Sequence, residues 1–336
     1  MGLRKIISAN YWAVFAVVLV LFCTSCKIFI PAHRNSNWRN GEQVQIELID
    51  LETARADADF STNYKAAFGF NPGDQNEPTF AIAAAPIIAA AANFALDYVA
   101  KALQDEAKLY TAQFGDTIAD SHFWLIEAGK PQPNYYGVRI TRDIVDSKGR
   151  RTNAYKLVCG FCPTPDGRLI TMKPLIFSTH KAKAKVIGNG PASMFAVYPW
   201  IFNHPNNQIN STVDFKIDGY FKDKDQFMKV IPMGAFSFKF PAYDLSSAKE
   251  LTAAATNKNN RIPAQSSGFL DTAPFSIDPD GKAFVQVNFT GSFTMKATVT
   301  EADTSNAQQN IEKLGELVSQ QKQAIIRQIT NNAAIP

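Results

Sequence analysis

The chain has 336 residues, 46% of them hydrophobic, and a formal net charge of +4. That apolar content suffices for a packed core and excludes a generally disordered chain. The charge falls to +2 once Arg4 and Lys5 are set aside, and so near-neutral a balance leaves no electrostatic footprint for nucleic acid.

Arg4 and Lys5 precede an apolar stretch from Trp12 to Phe22, and no acidic residue occurs before Glu42. The stretch runs into Leu21-Phe22-Cys23-Thr24-Ser25-Cys26. A basic start, a short apolar core and small residues before a cysteine form a secretory signal. The ending resembles the lipobox of bacterial lipoproteins, with Cys23 standing where the strict pattern has Leu. The resemblance covers only the first 26 residues. It implies cleavage before Cys26 and a mature chain whose Cys26 carries palmitate-type acyl chains in the bilayer. The competing reading is an uncleaved anchor over Tyr11 to Ile30, about long enough to span a membrane. Both place the remainder outside the cytoplasm, because the N-terminal cations stay inside. Lys27 stands where the family carries an acidic residue for inner-membrane retention, so the resemblance implies the outer membrane. No acidic run follows Cys26, which favours the periplasmic side.

The expected organisation is a signal peptide over 1–25, a lipidated tether over 26–42, an N-terminal strand with loops and an Ala-rich helix over 43–119, an antiparallel β domain over 120–302 and a C-terminal helix over 303–336. Val44, Ile46 and Leu48 alternate as one strand face. Residues 52–78 read as mixed structure and loops. Phe80 to Leu96 contains 17 uncharged residues, nine of them alanine. An amphipathic pattern follows from Asp97, and Pro86 predicts a break. This helix either packs on a sheet or offers small residues to a membrane or a second helix.

From His122 to Glu301 the signal is β. Val138, Ile140 and Ile144 alternate with polar residues, and Tyr155 to Val158 leads into Cys159-Gly160-Phe161-Cys162. Leu169 to Val186 reads as one long, bent strand. Val213, Phe215 and Ile217 define another strand, and Phe236, Phe238 and Phe240 a third. Val285 to Val299 is the cleanest strand, with Val285, Val287, Phe289, Phe293, Met295, Ala297 and Val299 on one face. Ser246 to Thr256 predicts a short helix, Asn257 to Ser267 a mobile loop, and Ser305 to Thr330 a helix. The fold class is therefore α+β: a large antiparallel sheet or sandwich with an Ala-rich helix and a C-terminal helix.

The chemistry is sparse. Cys159 and Cys162 end a strand-like run and enter a Pro/Gly turn rather than a helix, unlike a redox CxxC. They read as a structural disulfide or as two inert thiols. His33, His122, His180 and His204 share no metal-ligand spacing, and no catalytic motif or cofactor loop occurs. Neither a catalytic residue, nor a cofactor, nor a metal is expected. Lys181, Lys183 and Lys185 alternate with small apolar residues. On a strand they make a basic ladder for anionic lipid or an acidic partner, or a guard against edge pairing. Tyr198 and Trp200 lie in an aromatic, proline-flanked loop that is either a binding hot spot or a core plug. The function expected is a non-enzymatic envelope lipoprotein, a binding or structural subunit of a membrane-associated assembly with an envelope protein partner. The alternatives are an envelope-polymer hydrolase and a glycan- or solute-binding lipoprotein.

Overall fold

A computed structural model describes residues 32–33, 42–74, 108–127, 130–145, 149–164, 169–187, 207–222, 228–247, 249–271 and 292–304. The Ala-rich segment, the C-terminal helix, Cys26, Tyr198 and Trp200 lie outside the described residues. Among the described residues the fold is mostly antiparallel β, in two larger sheets that do not close into a barrel.

The smaller sheet has four strands, ordered β11-β10-β14-β3. These are β3 (Thr111–Asp120), β10 (Gln208–Lys222), β11 (Met228–Asp244) and β14 (Ser292–Asp303). Period-two patterning makes it one-faced. In β14, Phe293, Met295, Ala297 and Val299 are buried while Lys296 is exposed. In β10, Val213, Phe215 and Ile217 point inward while Asp214 and Lys216 are exposed. Alternation of this kind leaves one face in the core and one in water.

The larger sheet is ordered β12-β8-β7-β6-β2, with β13 also paired to β8. It comprises β2 (Gln43–Asp50), β6 (Tyr135–Val145), β7 (Arg151–Pro163), β8 (Leu169–Thr179), β12 (Leu251–Thr252) and β13 (Phe269–Asp271). Its inner face meets the smaller sheet. Phe177 of β8 stacks on Phe240 of β11 with centroids 4.0 Å apart, and Phe114 of β3 meets Tyr155 of β7 at 5.1 Å. Phe123, just after β3, packs edge-on to Phe293 at 4.4 Å and to Phe161 at 5.7 Å. The two sheets thus share one hydrophobic core.

The outer face of the larger sheet is covered too, by helices α1 (Leu51–Ala56) and α2 (Ala58–Phe68). Within the stretch expected to be mixed structure and loops, the turn at residues 71–74 is present, and the residues before it form these two helices. Phe60, Tyr64 and Phe68 recur every four residues, one face of a helix, and pack on Val158, Cys162, Leu175 and Ile176. The Asp57 side chain caps α2 by accepting from Phe60 N–H at 2.9 Å, which satisfies a donor that the first turn leaves unpaired. Gly69, at φ 89°, closes the helix in the left-handed conformation. Tyr64 donates from its hydroxyl to the Phe161 carbonyl at 2.8 Å. The helix can lie this close because β7 has Gly160 beneath it. A Cβ there would stand 2.9 Å from Phe68 and 3.0 Å from Tyr64.

One other expectation fails locally. Ser246 to Thr256 is not helical: Leu251 and Thr252 pair with Phe177 and Ile176 as β12. The segment 257–267 is hydrogen-bonded to the body, with Ser267 N–H donating to Met172 O at 2.9 Å. The Gln265 side chain accepts from Lys239 N–H at 2.6 Å and donates to Lys239 O at 2.8 Å. That side chain occupies both backbone groups of one residue on the edge strand β11, which blunts pairing with another chain. Smaller ladders join β1 (Ala32–His33) to β9 (Val186–Ile187) and β4 (Trp124–Glu127) to β5 (Lys130–Pro133).

Candidate functional site

The strand expected from Leu169 to Val186 ends at Thr179. The backbone N–H groups of His180 and Lys181 both turn to Ala154 O, at 2.9 and 3.4 Å. The chain then crosses one end of the sandwich as a strap over residues 181–185, before reaching β9 (Val186–Ile187). Ala182, Ala184 and Val186 are buried in the shared core. The three lysines therefore form no ladder. Lys181 is exposed, Lys183 is half-buried and Lys185 is only 9% exposed. The Lys185 ammonium lies 5.2 Å from the Tyr110 ring centre, and its backbone N–H donates to Leu109 O at 2.7 Å.

Four charged side chains hold the strap. Glu301 of β14 is fully buried and accepts from the backbone N–H groups of Lys183 and Ala184, the latter at 3.2 Å. Arg142 of β6, 1% exposed, donates to Lys181 O. Its guanidinium stands 4.8 Å from the Phe114 ring centre and 3.6 Å from Glu42. The Lys183 ammonium lies 3.5 Å from the same Glu42 carboxylate. Desolvation pushes the Glu301 carboxyl above the ordinary glutamate range, against the opposing pull of Arg142 and of the two backbone donors. Glu301 Oε1 and Arg142 Nε are buried without a hydrogen-bond partner among the described residues. The cluster joins β2, β6, the strap and β14, so charge adds to the apolar packing of Ala182, Ala184 and Val186 in fixing the strap across the sandwich end.

Glu42, Arg142 and Glu301 were missed by the sequence reading, although period-two register points to two of them. Glu301 continues the inward series Phe293, Met295, Ala297 and Val299, and Arg142 continues Val138 and Ile140. A charge at a core-facing position of a strand is the legible signal.

The second candidate surface is the outer face of the smaller sheet. Gln113, Thr117, Asp214, Lys216, Ser237, Lys239 and Lys296 are exposed on it. Lys216 stands directly opposite Lys296, an unfavourable pairing of like charges. Lys216 turns to Asp218 at 2.7 Å, and Lys296 has no ion-pair partner among the described residues.

Cys159 and Cys162 are free thiols, both buried. Three residues apart on one strand, they point to opposite faces: Cys159 enters the inter-sheet core and Cys162 lies under α2. This corrects the disulfide alternative and leaves the two separate thiols. Burial pushes the Cys162 thiol up to about 12 and the Cys159 thiol well above its ordinary value. Because the thiolate is the reactive form, iodoacetamide at pH 8 is expected to leave both unmodified in folded protein and to alkylate both in denaturant. Alkylation of either at the rate of a free peptide thiol would contradict this placement.

Among the described residues no three His, Cys, Asp or Glu side chains are grouped to hold a metal ion, and no helix is long and apolar enough to cross a membrane. No family model matches the chain, and no curated protein and no solved structure matches it.

Proposed function

We propose that the chain is an envelope lipoprotein, anchored through Cys26 and working as a non-enzymatic binding or structural subunit of a membrane-associated assembly. The anchor rests on the signal-like start and the run ending at Cys26. Lys27 supports the outer membrane as its site and the absence of an acidic run supports the periplasmic side. The Ala-rich and C-terminal helices belong to the same proposal, as cover for the body or as contacts with the assembly.

One observation carries the binding role: among the described residues the outer face of the smaller sheet is exposed at its centre, with Lys216 and Lys296 opposed across it. Like charges facing each other weaken a sheet, so the pair is better explained by an acidic partner than by the fold. Lys296→Glu is then expected to stabilise the isolated protein slightly, by about 0.2–1 kcal/mol, because it creates a cross-strand ion pair. The same change should weaken the partner complex. A photo-crosslinking residue placed at Thr298 should give a defined protein adduct in cells, and one at Lys65 on α2 should not. Adducts equal at both positions, or none at either alongside turnover of an envelope polymer by the purified protein, would overturn the binding role.

A further inference from the structure

We infer that the strap end of the sandwich faces the membrane and rests on anionic lipid headgroups. The inference deepens the proposed function and rests on lipidation of Cys26.

Ala32 pairs with Ile187, and His33 with Val186. The tether is therefore pinned to the body six positions after Cys26. Even fully extended at 3.3–3.6 Å per residue, those positions span only about 20 Å. The pinning point is packed into the body. Val186 is fully buried, β9 lies against β10 and β14, and Glu301 and Arg142 hold the preceding strap. An anchor so short keeps this end within about 20 Å of the lipid surface, close enough for charge on it to decide how the body sits.

The charge at that end fits the surface. β6 ends, β7 begins and β8 ends there, which brings Arg151, His180 and Lys181 to one rim, all exposed. Among the described residues, Glu42 is engaged with Arg142 and Lys183, Asp143 with Asn153 at 3.0 Å, Glu250 with Lys156 at 3.3 Å and Asp244 with Ser246 at 2.8 Å. Cations held within a Debye length of anionic headgroups are attracted to them. The acylated cysteine supplies the anchoring and the rim sets the orientation.

The test uses full-length lipidated protein in vesicles whose headgroups carry an energy-transfer acceptor. Donors are attached at His180→Cys on the strap end and, separately, at Ser121→Cys on the opposite end. The eleven residues of β6 alone separate the ends by about 35 Å. In phosphatidylglycerol-containing vesicles, transfer from position 180 should be several-fold more efficient than from position 121. Arg151→Glu combined with Lys181→Glu, or purely phosphatidylcholine vesicles, should remove most of that difference. Equal transfer from both ends, with acyl chains on Cys26 verified by intact mass, would overturn this inference alone. A preference for position 180 that survives charge reversal and neutral lipid would assign orientation to the tether and overturn headgroup contact. An intact mass showing no lipid on Cys26 would overturn the anchoring and the inference together.

Discussion

Phe177→Ala is expected to destabilise the fold by about 3–5 kcal/mol, the range for removing a large aromatic from a packed core. Phe177 stacks on Phe240 across the sheets and presents its edges to Tyr155 at 5.6 Å and Tyr243 at 5.2 Å. Its removal opens a cavity between the two sheets, where neither backbone can relax without breaking a ladder. Stability of most single domains lies within 5–15 kcal/mol, so this one change removes a large share. Urea denaturation checks it: the midpoint should fall with little change in slope. A loss below about 1 kcal/mol would mean that the sheets do not meet at Phe177.

Arg142→Met should cost a similar amount, about 3–5 kcal/mol, for a different reason. Methionine keeps an apolar chain but removes the guanidinium from over Phe114, leaves Glu42 and Glu301 without that cation, and leaves Lys181 O without its donor. Glu301→Gln separates the charge from the hydrogen bonds. The folded-state pKa of Glu301 is raised, so its contribution to stability is fully present below the ordinary glutamate range. It is lost as pH rises through the raised value. Arg142 on β6, Lys183 on the strap and Tyr155 on β7 are the titratable groups that act on it. Wild type should therefore gain stability relative to Glu301→Gln on acidification from neutral pH to about 4.5. A difference between the two proteins that stays flat across that range would contradict the burial of Glu301.

Much of the β body was legible from period two alone. Val213, Phe215 and Ile217, and the Phe293 to Val299 series, stand on the faces that the alternation assigned. What alternation does not show is which sheet is covered twice. β7 is buried on both faces because α1 and α2 cover its outer side, and those helices are short enough that turn-like residues such as Asn71 and Gly73 dominated the reading. The strap failed for a related reason. Lys181, Lys183 and Lys185 alternate as in a strand, yet the alternation arises from Ala182 and Ala184 inserting into the core from an irregular backbone. Glu301, more than 100 residues further on, holds that backbone, and no local pattern reports so distant a bond.

The measurement closest to the central claim is the intact mass of protein extracted from membranes, for wild type and for Cys26→Ser. The account predicts a wild-type chain beginning at Cys26 with acyl chains on that residue, and no acylated form for Cys26→Ser. A wild-type chain still beginning at Met1, or an unmodified Cys26, would contradict it.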